Sequence, residues 1–529
     1  MVDQASANGM QHGAAGVNLG YVLAQRALLA PSSPAIVTDG VVLTYEALDQ
    51  RVNRLANALR SRGIGYGDRV AVLLTNCPEF LEVLFACAKL GARMVTINYR
   101  LIADEVAFIL DDSGARLLVH GTDLAQTARA ATAATITRVV VGDTDDDAAE
   151  PYELLLTSQS PQAPGTELSL SEDVAIIYTS GTTGRPKGAV LTHANLLHSS
   201  LNQVIDFAVV ASDRTLLAAP LYHVGGMLIL TFPTLHVGGT VFLHRAFRPD
   251  EVIAAFERER ITTAFLAPTM WKMLLGEPGL AERDFSSLRL GVSGGESLPV
   301  SSIEALVDMF GAGFAEGYGL TEAASCTTVL RSQDLLRKPG SVGMPFIHNA
   351  IRVVGADGRD VAPGDIGEVW QSGPTVMRGY WERPDATAAV LRDGWLRTGD
   401  VGRLDDEGFL YIVDRAKDMI ISGAENVYPV EVEQVLYRHP DIEEAAVIGL
   451  PDERWGEAVT AVIVAKAGSH LTEQDVIDHC RPLMAGFKRP RRVRFTEALP
   501  RNPSGKVLKA QLREAYSLSN DAADALNPR

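Results

Sequence analysis

The chain has 529 residues, of which 47% are hydrophobic and 21% charged, as in folded globular proteins with room for more than one domain. Its formal net charge of −17 argues against a nucleic-acid-binding surface, because such a surface needs concentrated positive charge. The four cysteines, at 77, 87, 326 and 480, are widely spaced, so no disulfide framework and no cysteine metal site is predicted.

Signal peptides and membrane-spanning segments would indicate the cellular location of the protein. Residues 1–18 have neither the basic start nor the apolar stretch of a signal peptide. No uninterrupted apolar run approaches the length that spans a bilayer. We therefore expect a cytoplasmic protein with no transmembrane segment, and peripheral membrane contact stays open.

Helix and strand patterns alternate through the first part of the chain. Apolar side chains at helical spacing predict an amphipathic helix over 48–59 and a second apolar-faced helix over 79–90. Strands are predicted over 69–74 and 94–97. This alternation favours an α/β architecture with parallel strands. Residues 143–172 are rich in Asp, Ala, Pro and Ser and are predicted to be an exposed connection.

The segment 178–188 is the most informative motif and reads YTSGTTGRPKG. It lies between two strand-like runs, 174–177 and 189–191. Backbone amides, hydroxyls and one cation on a flexible turn suit a polyphosphate, although a hairpin without a ligand is the alternative. The turn does not fit the Walker pattern, because Lys187 is followed by glycine. The candidate contacts are Thr179, Ser180, Gly181, Thr182, Thr183, Gly184 and Lys187.

The pattern changes near residue 340. Short strands separated by Asp/Gly turns predict a small β subdomain over about 340–413. After residue 413 mixed helix and strand patterns return, with helices over 430–437 and 474–484. We therefore divide the chain into an N-terminal domain, 1–413, and a C-terminal domain, 414–529.

Five further motifs follow the glycine-rich turn in a fixed order. They are SGGESLP at 293–299, EGYGLTE at 316–322, WLRTGD at 395–400, DRAKD at 414–418 and LPRNPSGKVL at 499–508. Taken singly, most would be ordinary turns or solvated charges. Taken together, they resemble the adenylate-forming superfamily of acyl-CoA synthetases, luciferases and peptide-synthetase adenylation domains. The chain is most similar to fatty-acyl-CoA and related carboxylate–CoA ligases, over residues 20–512.

The resemblance implies a nucleotide site for ATP and Mg²⁺. It places Gly294, Gly295, Glu296, Tyr318 and Gly319 at adenine. In the same way, Thr321 is assigned to the α-phosphate, Glu322 and Thr182 to the metal, Asp400 to the ribose, and Arg415 to ribose or phosphate. Lys506 matches the lysine that assists adenylation, so the implied catalytic residues are Lys506, Glu322, Thr321 and Arg415.

The implied fold is α/β. It has a large N-terminal domain of mixed sheets with helices, a small β subdomain, and a smaller, mobile α+β C-terminal domain that pivots at Lys417. A tunnel for coenzyme A would contain Gly423, Ala424, Glu425 and Trp455. The acid pocket would be lined by Tyr222, His223, Met227, Ala267, Gly319 and Cys326. These largely apolar surroundings favour a fatty or aromatic acid.

The implied activity joins a carboxylic acid to the thiol of coenzyme A through an acyl-adenylate. Ala424 stands where most comparable ligases carry glycine. A second hypothesis therefore passes the adenylate to another nucleophile, such as an amine or a carrier-protein thiol. A third hypothesis is a nucleotide-binding protein without catalysis. The predicted partners are the acid and coenzyme A and no nucleic acid, and a homodimer stays open.

Overall fold

The structure is a computed structural model that describes residues 18–523 apart from several short gaps, which are 180–185, 296, 297, 299, 312, 416, 417, 423, 424, 453, 454, 485 and 502–506. Ten predicted site residues lie outside the described residues: Ser180, Gly181, Thr182, Thr183, Gly184, Glu296, Lys417, Gly423, Ala424 and Lys506. For Arg415 and Glu425 only the backbone is described.

The helices of the described chain, in order, are α1 Leu19–Leu29, α2 Tyr45–Ser61, α3 Pro78–Leu90, α4 Ala103–Ser113, α5 Ala125–Ala131, α6 Tyr152–Thr157, α7 His193–Asp206, α8 Val224–Leu228, α9 Thr231–Val237, α10 Pro249–Arg258, α11 Pro268–Leu275, α12 Val300–Phe310, α13 Pro384–Val390, α14 Pro429–Leu436, α15 Glu473–Cys480 and α16 Lys509–Ala523. Helical turns of the 3₁₀ type are Thr122–Leu124, Leu280–Glu282 and Thr321–Ala323.

The strands of the first part are β1 Pro34–Thr38, β2 Val41–Thr44, β3 Arg69–Leu73, β4 Arg93–Thr96, β5 Leu117–Gly121, β6 Thr137–Val141, β7 Ala149–Pro151, β8 Asp173–Thr179, β9 Lys187–Thr192, β10 Arg214–Leu217, β11 Thr240–Leu243 and β12 Thr263–Leu266. Those that follow are β13 Leu290–Gly294, β14 Gly313–Tyr318, β15 Thr328–Leu330, β16 Met344–Pro345, β17 Ala350–Val354, β18 Gly367–Ser372, β19 Gly379–Tyr380, β20 Leu391–Arg392, β21 Trp395–Leu404, β22 Leu410–Arg415, β23 Ile420–Ser422, β24 Glu425–Val427, β25 Ile442–Asp452, β26 Gly456–Ala465 and β27 Arg492–Phe495.

The chain forms two compact units. Unit 1 contains the residues up to Phe265 together with Leu320–Cys326 and Gly373–Ala389. Unit 2 contains Leu266–Gly319, Thr327–Ser372 and the residues from Val390 onward. This division follows spatial compactness, and the sequence-based boundary between 413 and 414 stays a prediction.

Unit 1 is built on two sheets. One has the strand order β19-β9-β8-β4-β3-β5-β6-β7, in which β8, β4, β3, β5, β6 and β7 are parallel and β9 and β19 are added antiparallel. The other contains β12, β10, β11 and β1 in parallel, with β2 antiparallel at its edge. Helices cover these sheets, as α4 does with Val106, Ile109 and Leu110 buried against the first one. The parallel α/β pattern predicted from the sequence is confirmed.

Two local predictions in unit 1 need correction. The helix predicted over 79–90 is confirmed as α3, but it is buried on all sides and not on one apolar face, because every residue from Phe80 to Leu90 is buried. The buried Glu82 carboxylate accepts hydrogen bonds from Arg51 Nε at 2.6 Å and from the Tyr152 hydroxyl at 2.7 Å. Tyr152 lies in the supposed exposed connection, 143–172, which forms β7 and α6 and buries part of its apolar surface. The polar composition of 143–172 concealed the buried positions of that connection.

Unit 2 contains three groups of paired strands. Strands β13 to β16 lie side by side, with β13 and β14 parallel. Strands β17, β18, β21 and β20 form an antiparallel sheet in that order, and β22 pairs with β21. This sheet supplies the short strands predicted in the region 340–413. The third sheet has the order β24-β23-β26-β25, with β27 paired to β26, and α14 and α15 pack on it. Helix α15 ends at Cys480, before the predicted end at 484.

Two general predictions can be compared with the described residues. The four cysteines are free thiols, as expected. Across the residues that the structure covers, no helix combines the length and apolar character needed to cross a bilayer.

Candidate functional site

The predicted phosphate turn is flanked by strands β8 and β9, as expected. The two strands pair antiparallel, with Thr179 opposite Lys187. The Thr179 hydroxyl donates to the Lys187 carbonyl oxygen at 3.4 Å. Glycine fits closely at position 188, because a Cβ there would lie 2.5 Å from Ile176 Cγ2 and would displace that side chain. Strands β8 and β9 therefore hold Thr179 and Lys187 opposite each other at the two ends of the turn. The turn itself, 180–185, lies outside the described residues.

Lys187, Tyr380 and Glu322 come together in unit 1, and we call them the lysine–glutamate cluster. Strand β19 pairs with β9 and brings Tyr380 opposite Ala189. The Lys187 Nζ lies 5.4 Å from the centroid of the Tyr380 ring, within cation–π distance. The Tyr380 hydroxyl donates to Glu322 Oε1 at 2.7 Å. Burial and the Glu322 carboxylate raise the pKa of Tyr380, so that its hydroxyl keeps its proton. The sequence analysis missed Tyr380.

Glu322 lies in a turn with unusual backbone angles. Thr321–Ala323 forms one 3₁₀ turn, and Ala324 and Ser325 follow with φ of 51° and 92°. Such angles are costly for residues other than glycine. The Ser199 hydroxyl stabilises the turn by donating to the Ala324 carbonyl oxygen at 2.7 Å. The structure thus holds Thr321 and Glu322 in a fixed turn beside Tyr380.

The donor set at Glu322 fits a magnesium ion that is shared with phosphate oxygens. Among the described residues, no group of three or more His, Cys, Asp or Glu side chains could hold a metal. Glu322 uses Oε1 for Tyr380, and we find no described residue bound to Oε2. Magnesium is commonly held by one or two carboxylates together with substrate phosphates and water, and Glu322 has the hard oxygen that this arrangement needs.

Tyr318, Asp400 and Arg415 come together in unit 2, and we call them the tyrosine–aspartate cluster. The Tyr318 hydroxyl donates to Asp400 Oδ2 at 2.7 Å. Asp400 is 5% exposed, and its backbone amide donates to the Thr398 hydroxyl oxygen at 3.1 Å. Strands β21 and β22 place Arg415 directly opposite Asp400. Three residues from three separate motifs therefore share one location.

The glycine-rich turn after β13 adjoins Tyr318 through its strand pairing. Gly294 lies opposite Gly317, and a Cβ at Gly294 would come within 2.6 Å of the Gly317 carbonyl oxygen. Gly295 has φ of 95°, which favours glycine. The Glu316 carboxylate accepts from the Leu298 amide at 3.0 Å, and burial raises the pKa of Glu316 to about 7. Backbone sterics thus explain both glycines before any ligand is considered.

The predicted acid-pocket residues are divided between the units. Tyr222, His223, Met227 and Cys326 belong to unit 1, and Ala267 and Gly319 to unit 2. The Tyr222 and His223 rings lie 4.4 Å apart. Burial lowers the pKa of His223 to about 4, so the ring is neutral near pH 7. Within the described chain, neither the Tyr222 hydroxyl nor His223 Nε2 has a hydrogen-bond partner.

Two of the four predicted tunnel residues are described in part or in full. Glu425 begins β24. The Trp455 backbone amide donates to Asp452 Oδ1 at 3.1 Å, and the Arg491 guanidinium lies 3.7 Å from the centroid of its ring. Arg492 forms an ion pair with Asp452 at 2.9 Å. Trp455 is therefore held by a network of charged groups in unit 2.

Comparison with known proteins identifies the family. The sequence pattern of the AMP-binding enzyme family matches residues 23–381, and that of the AMP-binding enzyme C-terminal domain matches residues 431–506. The chain belongs to this family. The large N-terminal and small C-terminal match regions agree with the predicted α/β fold class.

Individual relatives are similar over nearly their whole length. A feruloyl-CoA synthase from Amycolatopsis sp. is 43% identical over 94% of this chain and 99% of that protein. The long-chain-fatty-acid–CoA ligase FadD13 from Mycobacterium tuberculosis is 40% identical over 94% and 99%. The crystal structure of ATP-bound MatB from Rhodopseudomonas palustris superposes with a TM-score of 0.88, at 32% identity over 95% of this chain and 99% of that one.

Proposed function

We propose that the protein is an AMP-forming acid–CoA ligase that uses ATP, Mg²⁺ and coenzyme A. It activates a carboxylic acid as an acyl-adenylate with release of pyrophosphate, and then transfers the acyl group to the coenzyme A thiol. The observation that carries this conclusion is full-length similarity to acid–CoA ligases, in a chain that retains both charged clusters described above.

The first step must overcome the low reactivity of a carboxylate. Its oxygen attacks the α-phosphorus of ATP, and negative charge develops on the phosphoryl oxygens. Cations fixed near those oxygens lower the barrier. We assign Lys187 and the turn residues to the phosphates, Thr321 to the α-phosphate, and Lys506 to the developing charge. Bound magnesium, held by Glu322 and Thr182, would neutralise phosphate charge.

The nucleoside part of ATP is assigned to the tyrosine–aspartate cluster and the glycine-rich turn. The Tyr318 ring and the backbone of Gly294, Gly295 and Gly319 suit the faces and edges of a purine. Asp400 is a carboxylate whose position is fixed by Tyr318, and it can accept from ribose hydroxyls. Arg415 and Glu296 complete this assignment.

The second step uses a different set of groups at the same carbonyl carbon. AMP leaves as the thiol of coenzyme A attacks the adenylate, so Lys506 is no longer needed. We assign Lys417 as the pivot of the C-terminal domain, and Gly423, Ala424, Glu425 and Trp455 as the tunnel for the pantetheine arm. This is a hinge-type change between two half-reactions. ATP and coenzyme A are both cytoplasmic, and we place the enzyme there.

The acid that fits best is fatty or aromatic. The candidate pocket offers apolar side chains such as Met227, and the neutral His223 ring supplies a hydrogen bond without a charge. Met227 is apolar and the His223 ring is uncharged, so these two side chains suit a hydrocarbon or aromatic body better than a second charged group. The two relatives described above are named for an aromatic and a fatty acid.

A second candidate function changes only the acceptor. Ala424 adds a methyl group where most comparable ligases are expected to carry glycine, and a narrow tunnel would then hinder pantetheine. In that case an amine or a carrier-protein thiol would take the acyl group from the same adenylate.

One experiment separates these candidates. Purified protein is given ATP, Mg²⁺ and a panel of fatty and aromatic acids, with and without coenzyme A, and AMP and acyl-CoA are measured. The proposal expects multiple turnovers that need both an acid and coenzyme A. Turnover with another nucleophile in place of coenzyme A would favour the second candidate, and an Ala424→Gly variant that then gains coenzyme A activity would identify the cause.

A further inference from the structure

Residues 377–381 connect the two halves of the lysine–glutamate cluster through their backbone. The Met377 amide donates to the Glu322 carbonyl oxygen at 2.8 Å. The Arg378 amide donates to Val190 at 3.0 Å and the Trp381 amide donates to Gly188 at 2.7 Å, both on β9. One short segment is therefore tied at one end to the Glu322 turn and along its length to the strand that begins with Lys187.

The Tyr380 side chain lies between the two charged groups. Its hydroxyl donates to the Glu322 carboxylate at 2.7 Å, and the Lys187 ammonium lies 5.4 Å from its ring centroid. A phenol can do both at once, because its ring face attracts a cation while its hydroxyl donates to an anion. Lys187 and Glu322 form no ion pair with each other in the described part of the chain, so neither charge is neutralised by the other.

We infer that Tyr380 is a positioning residue that holds Glu322 for the metal with its hydroxyl and Lys187 for phosphate with its ring. This inference rests on the proposed function, which assigns those roles to Glu322 and Lys187. The two contacts are chemically separate. Removal of the hydroxyl should therefore affect metal binding alone, whereas removal of the ring should also affect phosphate binding.

Tyr380→Phe tests the hydroxyl, because it keeps the ring. Binding of Mn²⁺, a paramagnetic substitute for Mg²⁺, is measured by electron paramagnetic resonance on protein saturated with a non-hydrolysable ATP analogue. Loss of a partner that orients a metal ligand commonly weakens metal binding by about 10- to 100-fold, and we expect a loss in this range. Affinity for the metal-free analogue in EDTA, measured by calorimetry, should stay within about 2-fold of the wild-type value, because the ring contact to Lys187 remains.

Tyr380→Leu tests the ring. It should weaken both Mn²⁺ binding and binding of the metal-free analogue. Lys187→Met tests the same contact from the other side, because it removes the cation and leaves the Tyr380 ring in place. It should weaken metal-free binding at least as much as Tyr380→Leu, while Mn²⁺ affinity at saturating analogue changes little.

Tyr152→Phe is the matched control. It removes a tyrosine hydroxyl that also donates to a glutamate in unit 1 at 2.7 Å, in the buried contact to Glu82. Both measured affinities should stay at the wild-type value. A further control is the double variant of Tyr380→Phe with Glu322→Gln, whose Mn²⁺ affinity should equal that of Glu322→Gln alone, because the hydroxyl acts through the carboxylate.

The outcomes are decisive. Wild-type Mn²⁺ affinity in folded Tyr380→Phe protein would overturn the inference, as would additive losses in the double variant. If wild-type protein bound neither the ATP analogue nor its Mn²⁺ complex, the proposed function itself would fail. A selective loss of Mn²⁺ affinity in Tyr380→Phe, together with unchanged binding in Tyr152→Phe, would establish the positioning role.

Discussion

The two clusters contain the same bond in different settings. In unit 2 the Tyr318 hydroxyl donates to Asp400 at 2.7 Å, and in unit 1 the Tyr380 hydroxyl donates to Glu322 at 2.7 Å. Asp400 is 5% exposed and fixed on a strand, whereas Glu322 lies in a turn and is partly exposed. The Tyr380 ring also lies 5.4 Å from the Lys187 ammonium.

The difference suits the two roles that we propose for this type of hydrogen bond. We assign the buried Asp400 carboxylate, held on a strand, to an uncharged partner, the ribose hydroxyls. We assign the partly exposed Glu322 carboxylate, which forms no ion pair with Lys187 in the described part of the chain, to the metal. The comparison therefore predicts that variants of the two clusters respond differently to magnesium, beginning with the Tyr380 experiment above.

The largest expected effect lies at a cation that belongs to neither cluster. Lys506→Ala should lower the rate of adenylate formation by about 10² to 10³, the usual result of removing one group that stabilises transition-state charge. Thioester formation from supplied acyl-adenylate and coenzyme A should be largely unchanged. Single-turnover measurements of the two half-reactions check this.

Lys509→Ala is the control for Lys506, because Lys509 lies close by in sequence and forms an ion pair with Glu433 at 2.8 Å. Both half-reactions should remain near the wild-type rate in this variant. An equal loss in both half-reactions of Lys506→Ala would contradict the role assigned to Lys506.

The next effect distinguishes the units by the pH dependence of stability. Burial raises the pKa of Glu316 to about 7, above its usual value near 4.5. The folded state therefore binds the extra proton, and stability is lost as pH rises from about 4.5 to 7. Between pH 5 and pH 8 the wild-type protein should lose about 2 to 3 kcal/mol that Glu316→Gln does not lose. Urea unfolding of both proteins at the two pH values checks this.

Buried histidines in unit 1 have the opposite effect on the pH dependence of stability. Their contribution is the same in wild-type and Glu316→Gln protein, so it cancels when the two are compared. Burial lowers the pKa of His193, His223 and His236 to about 4. Their contribution to stability is present above about pH 6.5 and is lost as pH falls toward 4. Identical pH slopes for wild-type and Glu316→Gln protein would show that folding leaves the pKa of Glu316 unshifted, and would contradict this prediction.

The smallest expected effect is on ATP affinity at Asp400, and its dependence on Mg²⁺ distinguishes the two clusters. Asp400→Asn removes the charge that accepts from Tyr318 and should weaken ATP binding by about 10-fold, because hydrogen bonds to charged groups are worth more than neutral ones. The loss should be the same with and without Mg²⁺, as measured by calorimetry. A loss that appears only with Mg²⁺ would place Asp400 at the metal and remove the distinction between the clusters.

The sequence predicted the residues whose signal is local. Glycines and hydroxyls within one short segment indicated the phosphate turn, and the strands on both sides of it are confirmed. The motifs around Tyr318 and Asp400 were also recognisable, although their mutual hydrogen bond was not.

Tyr380 could not be found in the same way, because its partner Glu322 is 58 residues distant. They meet through tertiary contacts, which include the bond from the Met377 amide to the Glu322 carbonyl oxygen. The buried Glu82 and Tyr152 were missed for a related reason, since each is polar and satisfied by a residue remote in sequence. One signal was present for Tyr380: a short Gly-Tyr-Trp run, 379–381, in a chain with few aromatic residues.

The central claim is that this protein activates a carboxylic acid by joining it to AMP. Exchange of labelled pyrophosphate into ATP, measured without coenzyme A, reports that step alone, because the adenylate must form and revert. The account predicts exchange that depends on a fatty or aromatic acid and disappears in Lys506→Ala. Folded protein that binds ATP yet shows no acid-dependent exchange with any acid of the panel would contradict it.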